Sequence, residues 1–356
     1  MKTTTKTLSF KGEELYIGID VHLRSWMVTV LSQNLFVKRF SQEADAARLI
    51  KFLGTHYPGA KIKCVYESGY FGFWLARSLH QNGIECIVVN PADIPVTHKH
   101  KEQKTDKIDS KVLAELLRAG LLKGIYVPPQ EVHEDRNLIR VRSQLVRSQT
   151  ALKCRIKAYL AFYGFKIPEE HLSRHWSRNY VEYLKTIEFT KASGKEAFNA
   201  LLRHLEYLRT DILDITRKIR ILSKSEEYNQ EVKKLMSIPG IGIISAITLL
   251  TEASNMRRFS NTAKFRGYLG LIPNERSSGE TINKSRISKR GNNQLKVIFI
   301  ESAWVAVRID PAMTLAFEAL IKRMTKSRAI IRIAVKLANR ARHILLSNES
   351  YELSVV

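Results

Sequence analysis

Two aspartates three residues apart, Asp106 and Asp109, stand at the start of a segment whose apolar residues recur with helical spacing. If this segment is a helix, both carboxylates lie on one face of its first turn, because residues i and i+3 are neighbours on a helix surface. Two adjacent acids attract a cation, since a helix N-terminus offsets only part of their repulsion. The structural alternative makes Asp106 an N-cap and Asp109 an ordinary first-turn acid.

Two further acids, Asp20 and Glu67, each end a predicted β-strand. Together with Asp106 and Asp109 they make four carboxylates, and carboxylate oxygens are ligands that Mg²⁺ binds. Phosphoryl transfer on DNA uses two such cations, about 3.5–4 Å apart, to stabilise the attacking and leaving oxygens. Taken singly, Asp20 also fits the strand end that opens sugar-kinase-type ATPases, and Glu67 fits a surface acid.

The order of the predicted elements decides whether these four acids meet. The predicted strands are 16–21, 26–31, 35–40, 62–66 and 84–89, and the predicted helices among them are 44–53 and 69–81. Three strands in a meander, followed by strands that alternate with helices, are typical of a ribonuclease-H-like mixed sheet. In such a sheet the first and fourth strands adjoin, so we expect Asp20 and Glu67 to lie side by side, with the helix of Asp106 and Asp109 next to them.

The composition favours a polyanionic partner. The chain has 356 residues with 58 Lys and Arg against 34 Asp and Glu, a formal net charge of +24. Nucleic acid is the expected partner of so basic a chain, and an acidic protein or a membrane surface are weaker alternatives. The length predicts two or three domains. No segment is apolar enough for a membrane span or a signal peptide, so we expect a cytoplasmic protein.

The cysteines indicate neither a disulfide framework nor a zinc ribbon. There are three, Cys64, Cys86 and Cys154, and no two form a C-x-x-C pair. We expect all three to be small buried residues in a reducing compartment.

Beyond residue 128 the chain changes to long helical segments. Residues 132–165 are charged and rich in Arg, and the apolar residues of 198–222 alternate in steps of three and four. That alternation predicts a coiled-coil seam, which must be buried against another helix. We favour an antiparallel pair with 132–165 inside one chain, which also helps to form dimers. The alternative is a helix packed on its own globular domain.

Two glycines, Gly240 and Gly242, separate two predicted helices in the sequence Ile-Pro-Gly-Ile-Gly. Such a turn resembles a helix-hairpin-helix, in which backbone N–H groups approach a phosphate without obstruction by side chains. A plain glycine turn between helices is the alternative.

A polar loop, 274–280, precedes a basic cluster and a predicted helix over 294–308. The loop contains Ser277 and Ser278, either of which fits a turn or, between basic residues, a nucleophile for phosphate. The basic residues assigned to nucleic-acid binding are Lys104, Arg276, Lys284, Arg286, Lys289 and Arg290. A last helix, predicted over 327–346, carries a basic face that fits phosphate contact and a solvated surface equally well.

These motifs, in this order, resemble the DEDD transposases of the insertion-sequence 110 family, which include Piv-type DNA invertases and bridge-RNA-guided recombinases. The resemblance covers residues 16–346. The matching segments are 19–20, 66–69, 104–109, 238–242, 270–273, 278–279 and 288–291.

The resemblance implies a fold of the α/β plus all-α class, with a RuvC-like domain whose metal ligands are Asp20, Glu67, Asp106 and Asp109. It implies Ser278 as the catalytic serine, although Ser277 stands beside it and the residues after Gly279 are more polar than the family pattern. The implied division is 13–128 for the RuvC-like domain, 129–234 for coiled-coil helices, 235–347 for the transposase domain and 348–356 for a tail.

The resemblance also implies Mg²⁺, donor and target double-stranded DNA, a structured non-coding guide RNA, and a homo-oligomer ranging from dimer to tetramer. The predicted function is an RNA-guided recombinase that excises and inserts its own element through a phosphoserine link to DNA. The alternatives are a site-specific invertase of the Piv type, a RuvC-like nuclease that uses metal and water alone, and a non-catalytic nucleic-acid-binding scaffold.

Overall fold

The computed structural model describes residues 10–95, 106–169, 176–278, 281–288, 290–347 and 349–352, without the side chains of 106, 107 and 274–286. Lys104 and Lys289 lie outside the described residues. The chain forms two compact units, Met1–Val127 and Pro128–Val356.

A five-stranded mixed sheet forms the centre of the first unit. Its strands are β1 (Glu14–Val21), β2 (Ser25–Leu31), β3 (Phe36–Glu43), β4 (Lys61–Glu67) and β5 (Glu85–Val89). Their order in the sheet is β3-β2-β1-β4-β5. β1 and β2, and likewise β2 and β3, pair antiparallel, whereas β4 runs parallel to both β1 and β5. The predicted meander and the predicted adjacency of the first and fourth strands are therefore confirmed.

Helices cover both faces of this sheet. They are α1 (Ala46–His56), α2 (Trp74–Gln81) and α3 (Asp106–Arg118). Alternate residues of β1, including Ile17 and Ile19, are fully buried in a core that contains Leu49 of α1 and Leu75 of α2. Residues of the opposite sheet face, such as Val65, pack with Leu113 of α3. The period of two along a strand thus divides the sheet between two helical layers.

The predicted helix over 69–81 is too long, because α2 begins only at Trp74. Gly72 has φ of +68°, in the left-handed region that interrupts a right-handed helix. Its carbonyl oxygen accepts a hydrogen bond of 3.0 Å from the Tyr66 hydroxyl. This hydrogen bond attaches the turn at Gly72 to the end of β4. The apolar periodicity of the sequence did not predict the turn.

The described part of the second unit is helical apart from one hairpin. Its helices are α4 (Gln130–Phe162), α5 (Arg178–Thr186), α6 (Ala192–Leu222), α7 (Asn229–Met236), α8 (Ile243–Ala253), α9 (Thr262–Leu269), α10 (Asn293–Ile309), α11 (Pro311–Ile321) and α12 (Lys326–Ser347). The hairpin consists of β6 (Pro273–Ser278) and β7 (Thr281–Ile287). The prediction of a polar loop over 274–280 is therefore wrong as far as Ser278, because these residues pair antiparallel with β7.

The long helices α4 and α6 pack antiparallel. Arg142, in the first half of α4, donates a 2.8 Å hydrogen bond from Nε to Thr216, in the second half of α6. At the other end of the pair, Ile156 of α4 is buried with Phe198 of α6 and Tyr180 of α5. The remaining helices enclose a separate core around a larger set of apolar residues, which includes Leu235, Phe299 and Leu337.

The three cysteines differ in their exposure to solvent. Cys64 and Cys86 are buried, and burial raises the pKa of both thiols. The expectation for Cys154 is wrong, because this residue is exposed on a long helix whose apolar positions alone face the neighbouring helices.

None of the described helices combines the length and the apolar character that a membrane span needs.

Candidate active site

Asp20 and Glu67 occupy equivalent positions at the carboxyl ends of two adjacent parallel strands. The β1–β4 register pairs Ile19 with Tyr66, so the next residue on each strand is one of the two acids. Ile19 and Tyr66 are buried in the core on the side of α1 and α2. Because successive strand residues point to opposite faces, Asp20 and Glu67 share the other face, which α3 covers. The side chain of Asp20 is only 20% exposed.

Gly18 allows α3 to pack directly on β1. A Cβ at this position would overlap the carbonyl oxygen of Ser110 and lie 2.6 Å from the amide nitrogen of Ala114 and 3.1 Å from Cβ of Leu113. The Ser110 hydroxyl is also hydrogen-bonded to Thr29 Oγ1 at 2.9 Å, and both residues are buried. Any side chain larger than hydrogen at Gly18 is therefore incompatible with this helix position.

The direction of α3 brings its first turn toward the two strand acids. Ser110 lies at Gly18, whereas Ala114, one turn later, packs with Tyr16 and Leu31. The helix thus runs antiparallel to β1, and the residues before Ser110 extend toward the carboxyl end of that strand. Asp109 directly precedes Ser110 and is half-buried, and the backbone of Asp106 begins the helix.

The donor set suits a hard divalent cation. Carboxylate oxygens at strand ends and at a helix start are the ligands that Mg²⁺ prefers. Among the side chains that the structure describes, no three acids, histidines or cysteines are grouped closely enough to hold a metal ion. The side chain of Asp106 is outside that description. The structure therefore brings Asp20 and Glu67 to one place and directs the start of α3 to the same end of the sheet.

His22 is a neighbour of this site that the sequence analysis missed. Its Nε2 lies 3.0 Å from Oδ2 of Asp20, and its side chain is about half exposed. Two residues after a strand acid, a histidine returns to the same side of the chain. That i, i+2 spacing was available in the sequence as a signal.

Ser278 is the last residue of β6 and pairs with Thr281 across the end of the hairpin. Ser277 pairs with Ile282, Arg276 with Asn283, and Glu275 with Lys284. Arg286 lies on β7 near its end, and the side chains of all these residues are outside the described set. Arg290, just beyond β7, is exposed. The two serines and three of the predicted basic residues thus share one two-stranded ribbon.

The base of this hairpin is fixed by buried contacts. The Ser288 N–H donates to the Ile272 carbonyl at 2.9 Å, and Nζ of the buried Lys296 donates to the Ser288 carbonyl at 2.9 Å. Gly270 has φ of +69°, and a Cβ there would overlap the Arg290 carbonyl oxygen. The start and end of the hairpin are therefore held together by backbone contact.

A buried carboxylate, Glu252, connects this base to the long helix α4. Arg140 of α4 donates two hydrogen bonds to its oxygens, at 2.7 and 2.9 Å, and these hydrogen bonds to the carboxylate raise the pKa of Arg140. Asn292 Nδ2 donates to Oε2 of Glu252 at 2.8 Å, and the Asn292 N–H donates to the Tyr268 carbonyl at 2.7 Å. Glu252 was not predicted as a functional residue, although a single acid in an otherwise apolar helix is a signal of a buried ion pair.

The glycines between α7 and α8 have different environments. Gly240 has φ of +90°, and a Cβ there would overlap the Ser302 carbonyl oxygen of α10 and lie 3.1 Å from the Ala306 nitrogen. Gly242 is exposed, and a Cβ there would meet nothing within 4 Å. Packing against α10 therefore accounts for the glycine at 240, whereas Gly242 leaves the start of α8 open to a ligand.

Two family models match the chain. Residues 17–165 match a transposase model of the DEDD type for IS110 elements, and residues 232–318 match the model described as Transposase IS116/IS110/IS902 family. The first match covers the unit that contains Asp20, Glu67 and α3. The second covers the glycine turn and the hairpin of Ser278.

Several curated proteins are similar over most of their length. A Sinorhizobium fredii protein, y4qE, whose name marks it provisionally as a transposase, is 29% identical over 96% of this chain and 84% of its own. The transposase for insertion sequence element IS1111A of Coxiella burnetii is 26% identical over 82% of this chain and 80% of its own. With both units matched in order, the chain belongs to the IS110 family of DEDD transposases and is a DNA transposase.

Proposed function

We propose that this transposase is an RNA-guided DNA recombinase that excises and inserts its own insertion sequence through a serine nucleophile. The observation that carries the proposal is the register of Asp20 and Glu67 on the sheet face that α3 covers. This register would bring the carboxylates of two strand ends together with those at the start of α3, which is the arrangement that metal-assisted phosphoryl transfer requires.

Asp20, Glu67, Asp106 and Asp109 would hold Mg²⁺, with one or two ions bound. When bound, the metal supplies positive charge that polarises a phosphate and stabilises the oxygens that gain charge in the reaction. The chain's own contribution is rigidity, because Gly18 sets the distance between α3 and β1 and the Thr29–Ser110 hydrogen bond sets the helix register.

Ser278 is the proposed nucleophile. Its hydroxyl oxygen would form a bond to a DNA phosphorus while the bond from that phosphorus to a DNA oxygen breaks, and the serine proton would pass to the departing DNA oxygen, which leaves as a hydroxyl. The result would be a phosphoserine link. The hydroxyl of a second DNA end would then attack the same phosphorus and release the serine hydroxyl, which joins the DNA again. The basic residues near the serine would neutralise the charge on the attacked phosphate. They are Arg276, Lys284, Arg286, Lys289 and Arg290.

The remaining parts of the chain would hold nucleic acid and a second copy of the protein. Lys104 and the α7–α8 turn, acting as a helix-hairpin-helix, would contact phosphates, with the open Gly242 rather than the packed Gly240 nearest to the ligand. The α4–α6 pair would act as a coiled coil in a dimer or tetramer on donor and target duplexes. The proposed domains are 13–128, 129–234 and 235–347, with a tail over 348–356.

A structured non-coding RNA from the element would pair with donor and target DNA. The net charge of +24 suits such a partner. Sequencing of RNA that copurifies with the protein tests this part, followed by recombination with and without that RNA. Recombination at the full rate without RNA would contradict the proposal that RNA guides the enzyme.

Recombination between a donor and a target plasmid tests the chemistry. Asp20→Ala and Ser278→Ala should each abolish it, and Ser278→Ala should also abolish the covalent protein–DNA adduct. If Ser277→Ala is inactive and Ser278→Ala is active, the nucleophile is Ser277. If both Asp20→Ala and Ser278→Ala recombine at the wild-type rate, the mechanism is wrong.

The same carboxylate arrangement also supports a RuvC-like junction nuclease that uses metal and water alone. That enzyme would keep its activity when both serines are replaced and would form no adduct. A Piv-type invertase shares the proposed chemistry, and it differs by inverting a segment on one plasmid without inserting an element into another. A scaffold without catalysis would tolerate Asp106→Asn.

A further inference from the structure

The last helix, α12, has an unusually uniform charge. From Lys322 to Ser347 the chain contains eight Lys and Arg residues and no Asp or Glu. The inner face of the helix is fixed in the core by Ile333, Leu337 and Ile344. Packing therefore sets the orientation of the helix, and the same residues always form its outer face.

Three basic residues lie on that outer face, four residues apart. Arg328, Arg332 and Lys336 are all exposed. A helix rises 1.5 Å per residue, so the three positions span about 12 Å along one line. We call Arg328, Arg332 and Lys336 the basic stripe.

Other arginines of the same helix are bound to their own chain. Arg340 donates to the buried Asp310 at 2.8 Å, and Arg342 donates to the Phe259 carbonyl at 2.9 Å. By contrast, no residue of the basic stripe forms a side-chain hydrogen bond or ion pair with the part of the chain that the structure describes. Like charges four residues apart repel each other, at a cost of roughly 0.2–0.5 kcal/mol per pair. The fold thus retains a row of repelling charges at its surface.

We infer that the basic stripe is a docking surface for the phosphate backbone of double-stranded DNA. Each strand of a duplex carries one phosphate per 3.4 Å of axis, so about 12 Å of stripe spans three or four phosphates. The packed helix presents the three cations at regular spacing along a row of phosphates, and phosphate neutralises the repulsion within the stripe. The contacts lie outside the hairpin and the α7–α8 turn, and they supply affinity without sequence preference.

Salt dependence of binding tests this surface directly. The full chain carrying Arg328→Gln, Arg332→Gln and Lys336→Gln is titrated onto a duplex of about 30 base pairs of unrelated sequence, from about 50 to 200 mM salt. Loss of three phosphate contacts should reduce the slope of log K against log salt by about 2.7 and weaken binding about tenfold or more. Equal thermal unfolding of variant and parent shows that the fold is kept.

The control removes the same number of charges from side chains that already have acidic partners. Arg48, Lys61 and Lys185 are exposed and paired with Glu43, Glu14 and Glu206. The triple Gln variant at these positions should keep the parental slope. An unchanged slope in the stripe variant, or an equal fall in both variants, would overturn the inference. So would a change confined to a structured RNA probe of the same charge, because that result assigns the stripe to RNA.

Discussion

Substitution of Gly18 by alanine tests how the acids of the first unit are positioned. The added methyl group would overlap the Ser110 carbonyl oxygen and lie 2.6 Å from the Ala114 nitrogen. Both of these atoms belong to the backbone of one helix, so no rotamer change relieves the overlap. The helix α3 must therefore move away from β1 by about 1 Å or more, because overpacked cores respond by backbone shifts.

The size of the effect follows from what that movement breaks. Overpacking costs about 1–3 kcal/mol. Separation of the buried Thr29 and Ser110 hydroxyls, 2.9 Å apart, breaks the hydrogen bond between them at a further cost of about 0.5–1.5 kcal/mol. We expect Gly18→Ala to lower the free energy of unfolding by about 1.5–4.5 kcal/mol, the sum of these two costs. A shift of about 1 Å in the first turn of α3 should also reduce DNA strand cleavage about a hundredfold.

Gly54→Ala is the matched control within the same unit. Gly54 lies inside α1, and a Cβ there would meet nothing within 4 Å. Alanine is the better helix former by about 0.5–1 kcal/mol, so this variant should be slightly more stable and fully active. Denaturant unfolding and metal-dependent cleavage are measured on both variants. If Gly18→Ala matches the parent in both measurements, α3 does not pack on β1 as described.

Four other substitutions probe the second unit. Glu252→Ala should cost about 3–5 kcal/mol in denaturant unfolding, because it removes the carboxylate beside the buried Arg136 and the two hydrogen bonds of Arg140. A cost below about 1 kcal/mol would contradict the network. Gly240→Ala should destabilise the protein because the added Cβ would overlap the backbone of α10. Gly242→Ala should keep the free energy of unfolding, measured by thermal denaturation, within about 0.5 kcal/mol of the parent. Burial raises the pKa of Asp310, but hydrogen bonds from Tyr351, the Met313 N–H and Arg340 more than offset it, so the pKa lies below its usual value. The stability that the ionised Asp310 contributes is present above the unfolded pKa of about 3.9, and it is lost as the pH falls through the folded pKa. The free energy of unfolding, measured from about pH 2 to 7, should therefore show this loss in the parent and not in Asp310→Asn.

The sheet and the position of its acids could be predicted because both depend on local patterns. Strand alternation around Ile17 and Ile19 marks one buried face, and it assigns Asp20 to the other. The order of strands and helices then gives the adjacency of β1 and β4, on which Glu67 depends. These features follow from periodicity and from the few topologies that short connections allow.

The residues that the sequence did not reveal depend on partners far along the chain. Glu252 is paired with Arg140, which precedes it by 112 residues, and Gly240 is required by Ser302 on another helix. A local pattern shows that Gly240 needs a turn, and it cannot show what the turn packs against. The hairpin of Ser278 was missed for a related reason, because its polar residues lack the apolar alternation that predicts strands.

Close approach of backbone to backbone positions both sets of proposed reactive groups. In the first unit Gly18 admits α3 to the sheet, and in the second Gly270 admits the Arg290 carbonyl at the base of the hairpin. Backbone contacts hold geometry more tightly than contacts between flexible side chains, because packed elements shift as units. Phosphoryl transfer depends on positioning more than on any single side chain. The proposed acids lie at strand ends and a helix start, and the proposed serine lies at the end of a hairpin. We therefore expect their positions to depend on the backbone contacts at Gly18 and Gly270.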